Sequence, residues 1–392
     1  MSEWKEYKLD EVYDFASGLS KSADQFGYGY GFCSFKDVFK NYFLPEKLSS
    51  LANTSVRERN SCSIKMGDVF LTRTSETQEE LGMSSVALKD YPEATFNGFT
   101  KRLRPKGIIE VYPEYAGYYF RSPRFRATVT SMSSMTTRAS LNNDMLAALT
   151  INLPFPKEQA AIGNILKSLD DKIDLLHRQN ATLEAMAETI FRQWFVEEAK
   201  EDWETQQLSS IANFLNGLAC QKFPPKNDFD KLPVLKIKDL GSGITENSDW
   251  ASTDIKPEYI VKNGDVIFAW SASLMVKIWN GKDCILNQHL FKVTSSDFPK
   301  WFYYLWCKHH LVEFLSIAAS HATTMGHIKR GDLDEAMVIV PSENELKVMT
   351  STIQPIMDKL INNNKQIRTL TTLRDTLLWR CWCLPCLARP HC

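Results

Sequence analysis

Residues 153–184 read LPFPKEQAAIGNILKSLDDKIDLLHRQNATLE, and the fold turns on how this stretch is read. After Pro156 the chain has no proline and a single glycine until residue 201, and Ala, Leu, Glu, Lys and Gln dominate. These are good helix formers, so the spacing predicts one helix of roughly forty residues over 157–201. Positions Ile162, Leu166, Leu169, Ile173, Leu176, Asn180, Leu183, Ala187, Ile190 and Trp194 step by four and three without a break. That alternation is a heptad seam in which Asn180 is the polar member.

A second seam lies near the C-terminus at Met349, Ile353, Ile356, Leu360, Asn363, Ile367 and Leu370, after which Arg374 weakens the pattern before Leu377. It also carries one asparagine. Such a residue is either a tolerated polar group at a helix edge or a register pin that costs some stability, and both readings stand here. The two helices are expected to pack on each other, antiparallel if the halves of the chain are related by a two-fold axis.

The regions before each helix repeat one another. Trp4, Leu9, Val12, Phe15, Gly18 and Leu19 recur as Trp203, Leu208, Ile211, Phe214, Gly217 and Leu218, all at an offset of 199. Gly67-Asp68-Val69 matches Gly264-Asp265-Val266. Thr136-Thr137, Leu141, Leu146, Ile151 and Pro154 match Thr323-Thr324, Ile328, Leu333, Val338 and Pro341 at an offset of 187. Conserved order with a slowly drifting offset is what duplicated halves with variable loops produce.

At 392 residues, with 44% apolar and 24% charged residues, the chain can build two or three folded domains. A net charge of -1 argues against a protein that holds DNA by itself, though not against a reader inside a larger complex. The N-terminus has no apolar signal region and no run is long enough to span a bilayer, so a cytoplasmic protein without membrane contact is expected. Cys33, Cys62, Cys220, Cys284 and Cys307 are scattered without metal spacing and read as buried, reduced thiols.

Short alternating apolar runs with turn residues and a few helices predict an α+β class for each half, with modest, curved sheets. The expected organisation is a domain over 1–155, a long helix over 156–201, a second domain over 202–341 and a second helix over 342–378. Within 101–138 there are eight basic residues, Lys101, Arg102, Arg104, Lys106, Arg121, Arg124, Arg126 and Arg138, against Glu110 and Glu114. Arginine suits phosphate contact and forked donation to guanine, which makes these residues, with Arg73, Thr136 and Thr137, candidates for DNA contact. The competing reading is a solvated face, with Tyr115, Tyr118, Tyr119 and Phe125 in the core. In the second half the candidates are Ser271, His289, Thr323, Thr324, His327, Lys329 and Arg330.

Methyltransferase, P-loop and zinc-protease signatures are absent, and Gly27-Tyr28-Gly29-Tyr30-Gly31 neither follows a clear strand nor opens a helix. No catalytic residue and no metal ligand is expected. The tail over 379–392 (WRCWCLPCLARPHC) could be imagined as a thiolate site, but its abrupt composition favours a non-native or frame-shifted extension with little order.

The run Leu153-Pro154-Phe155-Pro156-Lys157-Glu158-Gln159, followed by Leu169-Asp170-Asp171-Lys172-Ile173-Asp174, Gln179-Asn180, Leu183-Glu184 and Phe191, resembles the central region of type I restriction-modification specificity subunits. Leu373-Arg374-Asp375-Thr376-Leu377-Leu378 resembles the end of that family's second helix, though Trp379-Arg380-Cys381 replaces its usual continuation. The second helix also looks shorter, and starts on Pro341-Ser342-Glu343 in place of the double proline. The resemblance implies two target-recognition domains, each reading one half of a split, asymmetric site on double-stranded DNA, with the helices setting the spacer. It also implies docking of methylation subunits, which would use S-adenosylmethionine, and of restriction subunits, which would use ATP and Mg; this chain would hold no cofactor. The rival reading is a coiled-coil scaffold whose domains bind proteins.

Overall fold

The computed structural model describes every residue except 1–3, 75–79, 134–139, 246, 321–325 and 384–392. The chain divides into two units, Met1–Lys172 with Leu370–Cys392, and Ile173–Thr369. Both divisions fall inside long helices, so each unit is a globular domain plus part of each helix.

In the first unit β1 (Lys5–Lys8) leads through α1 (Leu9–Val12) into β2 (Tyr13–Ser17). There follow β3 (Phe26–Cys33), α2 (Phe35–Lys40), β4 (Ser50–Ala52) and α3 (Val56–Ser61). Next come β5 (Val69–Thr72), β6 (Ser84–Val86), β7 (Thr95–Phe96) and β8 (Thr100–Pro105). The helices α4 (Pro113–Tyr119), α5 (Pro123–Ser133) and α6 (Asn143–Ala148) precede β9 (Thr150–Leu153), and α7 (Pro156–Arg192) begins after it. The sheets are small: β1 with β9, an antiparallel β2-β8-β5-β6, and β4-β3-β7 with a parallel β3–β7 pair. Tyr13, Val69, Leu103, Tyr115, Tyr118 and Phe120 are fully buried between the larger sheet and α4.

The second unit repeats this plan. It contains β10 (Glu204–Gln207), α8 (Leu208–Ile211), β11 (Asn213–Asn216), β12 (Lys231–Leu235), α9 (Ile237–Ser242) and β13 (Trp250–Ser252). It continues through β14 (Ile260–Val261), β15 (Val266–Ala269), β16 (Met275–Ile278), β17 (Cys284–Leu286) and β18 (Leu290–Thr294). It ends with α10 (Lys300–His309), α11 (Leu311–Ser320), α12 (Arg330–Glu335), β19 (Met337–Val340) and the start of α13 (Glu343–Cys383). The sheet β11-β18-β15-β16 corresponds to β2-β8-β5-β6, and β13-β12-β17-β14 to β4-β3-β7, again with one parallel pair.

The repeated residues are those the backbone needs. A Cβ on Gly18 would stand 2.3 Å from the Asn97 carbonyl oxygen, and one on Gly217 would stand 2.2 Å from that of Asn287. The following residues, Leu19 and Leu218, form parallel bridges to those same asparagines, so neither glycine can carry a side chain. Gly67 and Gly264 hold φ of 85° and 91° in the turns that launch β5 and β15, a region glycine enters without steric cost. Trp4 donates from its indole to Glu158 at 3.3 Å, and Trp203 to Glu345 at 3.0 Å, tying each domain to the first turn of the helix that follows it.

The helices α7 and α13 pair in both units and run in opposite directions, since α7 passes from the first unit to the second and α13 returns. In the second unit Asn180 donates to Asn364 at 2.8 Å and accepts from Asn363 at 3.0 Å. The seam asparagines therefore face each other, which favours the register-pin reading over a polar residue at a helix edge. Leu166, Leu176, Ile353, Leu360 and Ile367 are buried, while Ile162, Leu169, Ile173, Leu183, Ile356 and Leu370 are half-buried and Met357 takes the inner place beside Ile356. In the first unit Arg374 does not break the pairing: its guanidinium meets Asp170 at 2.7 Å, while Tyr118 donates to the same carboxylate at 2.7 Å.

Two helix lengths differ from expectation. The α-helical part of α7 stops at Arg192 and a π-turn covers Gln193–Glu197, so the helix ends before residue 201. α13 is the longer helix, 41 residues against 37, and runs five residues past 378. Of the tail expected over 379–392 to be poorly ordered, residues 379–383 continue the helix and 384–392 lie outside the described residues. Trp382 is 1% exposed, lies 5.8 Å from the Tyr115 ring and donates to the Tyr115 hydroxyl at 3.2 Å. At the offset of 187, Trp382 corresponds to Phe195, which packs against Trp301 in the second unit. Cys386, His391 and Cys392 lie outside the described residues. Among the described residues no helix is long and apolar enough to cross a membrane.

Candidate nucleic-acid interface

Where β5 ends, the first domain draws three segments together. The Arg73 amide donates to the Phe99 carbonyl at 2.8 Å, the Leu141 amide donates to the Arg73 carbonyl at 2.9 Å, and Thr74 bridges Ser140. Phe99 is 61% exposed beside them. From β8, the Lys101 ammonium reaches Ser17 Oγ at 2.9 Å and Asn143 Oδ1 at 2.8 Å. Lys101 is buried, and both this burial and the nearby Arg73 charge push its pKa below the ordinary lysine value.

The second domain builds the same junction where β15 ends. The Trp270 amide donates to the His289 carbonyl at 3.4 Å, the Ile328 amide donates to the Trp270 carbonyl at 3.1 Å, and Ser271 bridges His327. The corresponding pairs are thus Arg73 with Trp270, Phe99 with His289, and Ser140 with His327. Strand register adds Lys101 with Phe291 and Ser17 with Asn216.

The side chains here differ in kind. Trp270 stacks on Phe291 at 5.7 Å and donates to Asn216 Oδ1 at 3.2 Å, while His327 meets it edge-on at 6.3 Å. His289 lies within 3.2 Å of Ser271 Oγ through Nδ1 and 3.3 Å of Gln288 through Nε2. This junction holds indole, phenyl and imidazole rings with a serine hydroxyl where the first domain holds an arginine and a lysine.

Several basic candidates are in the fold's interior instead. Arg104 grips the buried Asp68 with two bonds, at 2.7 and 2.6 Å, and Arg102 donates to the Ser63 carbonyl at 2.6 Å. Arg121 donates to the carbonyls of Ser84, Val38, Phe39 and Asn41, closing the C-terminal end of α2, where unsatisfied carbonyls accumulate. Burial pulls its pKa down to about 10. Arg126 donates to the Leu81 carbonyl. The local charge surplus therefore holds loops and helix ends onto the sheet, and Tyr115, Tyr118, Tyr119 and Phe125 are core residues. Arg124 is exposed on α5, Lys329 caps α12 through its amide to Asp332, and Arg330 donates to the Phe214 carbonyl at 3.2 Å. Thr136, Thr137, Arg138, Thr323 and Thr324 lie outside the described residues.

Trp270, Phe291, Phe99 and Asn216 escaped the sequence reading. A usable signal was present for Trp270, since Arg73 and Trp270 each stand six residues past the turn glycine of the repeat.

A family model described as the type I restriction modification DNA specificity domain matches residues 1–185 and again 200–372. The chain is 25% identical to the MjaIX type I restriction enzyme specificity subunit of Methanocaldococcus jannaschii, over 96% of this chain and 92% of that protein. It is 21% identical to the HindI specificity subunit of Haemophilus influenzae, over 97% and 99% respectively. A crystal structure of a type I restriction-modification S subunit from M. genitalium superposes with a TM-score of 0.60 at 14% identity, covering 96% of this chain and 95% of that one, which establishes the shared fold.

Proposed function

The chain belongs to the type I restriction modification DNA specificity family and serves DNA sequence recognition; on that premise we propose that each of its two domains reads one half of a bipartite, asymmetric target. The observation that carries this reading is the pair of corresponding junctions, one around Arg73 and one around Trp270, built on the same backbone but presenting different side chains. A duplicated reader with divergent contact groups recognises two unlike half-sites.

The pairing of α7 with α13 then supplies the spacing element and the platform for methylation subunits. At about 1.5 Å per residue, a helix the length of α7 spans roughly 55 Å, more than one duplex turn of about 34 Å. Catalysis belongs to the partners: methylation subunits would bring S-adenosylmethionine, restriction subunits ATP and Mg, and this chain the address. The net charge of -1 fits that division, because the phosphate contacts that dominate affinity would come largely from the other subunits. The complex would work in the cytoplasm. A protein-binding scaffold is not favoured, since the family that the chain belongs to is defined by DNA specificity.

Genome-wide mapping of adenine methylation in cells with the methylation subunit, with and without this chain, tests the reading. A split motif that appears only with the chain is expected. An unchanged methylation pattern despite an assembled complex would overturn it.

A further inference from the structure

Arg73 and Lys101 are two cations brought together without a counter-ion among the described residues. Lys101 is buried, and among the described residues its ammonium bonds the neutral Ser17 hydroxyl and Asn143 amide oxygen. Arg73 is half-buried, and its Nε is shut off from water with no hydrogen-bond partner. Neither forms an ion pair among the described residues. Of the neighbouring arginines, Arg104 is paired with Asp68 through two bonds, and Arg102 donates from Nη1 to the Ser63 carbonyl although its own Nε is also buried without a partner. What sets Arg73 apart is that none of its guanidinium nitrogens meets a carbonyl or carboxylate among the described residues. A guanidinium whose buried Nε has no acceptor, beside a second positive charge, lowers stability, since an unpaired buried donor alone costs about 1–3 kcal/mol. Such local conflicts concentrate where a ligand completes the interaction.

Resting on the DNA-reading function above, we propose that the position six residues past the turn glycine, Arg73 in the first domain and Trp270 in the second, determines specificity, with Arg73 reading a guanine edge. Lys101 acts as a positioning residue: anchored by Ser17 and Asn143, it repels the guanidinium from the sheet and toward the bound duplex. Guanine offers O6 and N7 side by side in the major groove, which matches the guanidinium fork. A phosphate would satisfy the charge as well, and it is distinguished by experiment. In the second domain Trp270, stacked on Phe291, can contact a base edge or methyl group but has no fork to offer.

The test compares wild type, Arg73→Ala, Arg73→Lys and Trp270→Ala in complex with the methylation subunit, by methylation-motif mapping and by binding to single-base target variants across a salt series. Arg73→Ala is expected to relax one G·C position of one half-site, losing roughly five- to hundredfold of discrimination there. Arg73→Lys should restore it only in part, because an ammonium can reach O6 and N7 but lacks the planar, preorganised guanidinium fork. Trp270→Ala should alter a position in the other half-site only. The melting temperature of Arg73→Ala should hold or rise, since the side chain has no hydrogen bond or ion pair to lose among the described residues; a marked fall would assign Arg73 a structural role and overturn the proposal. A uniform loss across all sequences with a shallower salt dependence would identify a phosphate contact, and unchanged specificity would remove Arg73 from the interface. Either result contradicts base reading while the wild-type motif still stands, whereas loss of the motif in wild type as well would count against the DNA-reading function itself.

Discussion

The junctions at the ends of β5 and β15 share their backbone hydrogen bonds and differ in nearly every side chain. Arg73, Lys101 and Phe99 in the first domain correspond to Trp270, Phe291 and His289 in the second. Elsewhere the duplication is kept where mechanics demands it, at Gly18 and Gly217, Gly67 and Gly264, Trp4 and Trp203, Asp68 and Asp265. The difference teaches that the scaffold and the proposed reading surface are separable: positions that shape the backbone stay fixed, and side chains at the strand-end junctions diverge.

The largest effect should come from testing whether the two helix ends are equivalent. Trp382→Ala and Phe195→Ala each remove a buried ring from a corresponding aromatic cluster, and each is expected to cost about 3–5 kcal/mol. Hydrogen exchange resolved by segment should show the loss in the first unit for Trp382→Ala and in the second for Phe195→Ala. A silent Trp382→Ala would return residues 379–383 to the status of an inert extension.

A smaller effect sharpens the comparison at the acidic turn. Asp68 is 1% exposed and holds Arg104, whereas Asp265 is 24% exposed and meets Lys292 at 2.8 Å. Removing a fully buried carboxylate that accepts two bonds from a guanidinium and one from the Lys65 amide costs about 3 kcal/mol or more, and removing a better-solvated one costs about 1 kcal/mol. Urea denaturation should therefore rank Asp68→Ala well below Asp265→Ala in stability; equal losses would show that burial does not distinguish the two turns.

The smallest effect concerns pH at the start of α13. Bonds to Glu345 from Lys200, then Ser342 and Trp203, hold its carboxyl at about 2, below the ordinary 4.5. A depressed folded-state pKa contributes stability that is present above 4.5 and is lost as pH falls toward 2. Fluorescence of Trp203, which donates to Glu345, should change across that window, and Glu345→Gln should flatten the change.

Much of this was legible beforehand, for physical reasons. The helices announce themselves because a seam must recur every three or four residues, and the duplicated glycines because no other residue fits the close approaches they make. The arginines misled because a local charge count cannot tell a guanidinium that caps α2, as Arg121 does, from one that faces a ligand; only the carbonyls it meets decide that. Trp382 was obscured by its odd neighbours, although Leu378 and Trp382 repeat the four-residue spacing of Phe191 and Phe195. Ser271, His289 and His327, candidates from the sequence, lie next to one another, but the ring stack of Trp270 on Phe291 depends on strand register, which no single segment reveals.

The most direct measurement replaces residues 202–341 with a second copy of 1–155 and maps adenine methylation in cells that contain the methylation subunit. If each domain carries its own half-site on a shared scaffold, the motif becomes an inverted repeat of the half-site that Arg73→Ala relaxes. A motif that keeps the original other half-site in an assembled complex would contradict the account.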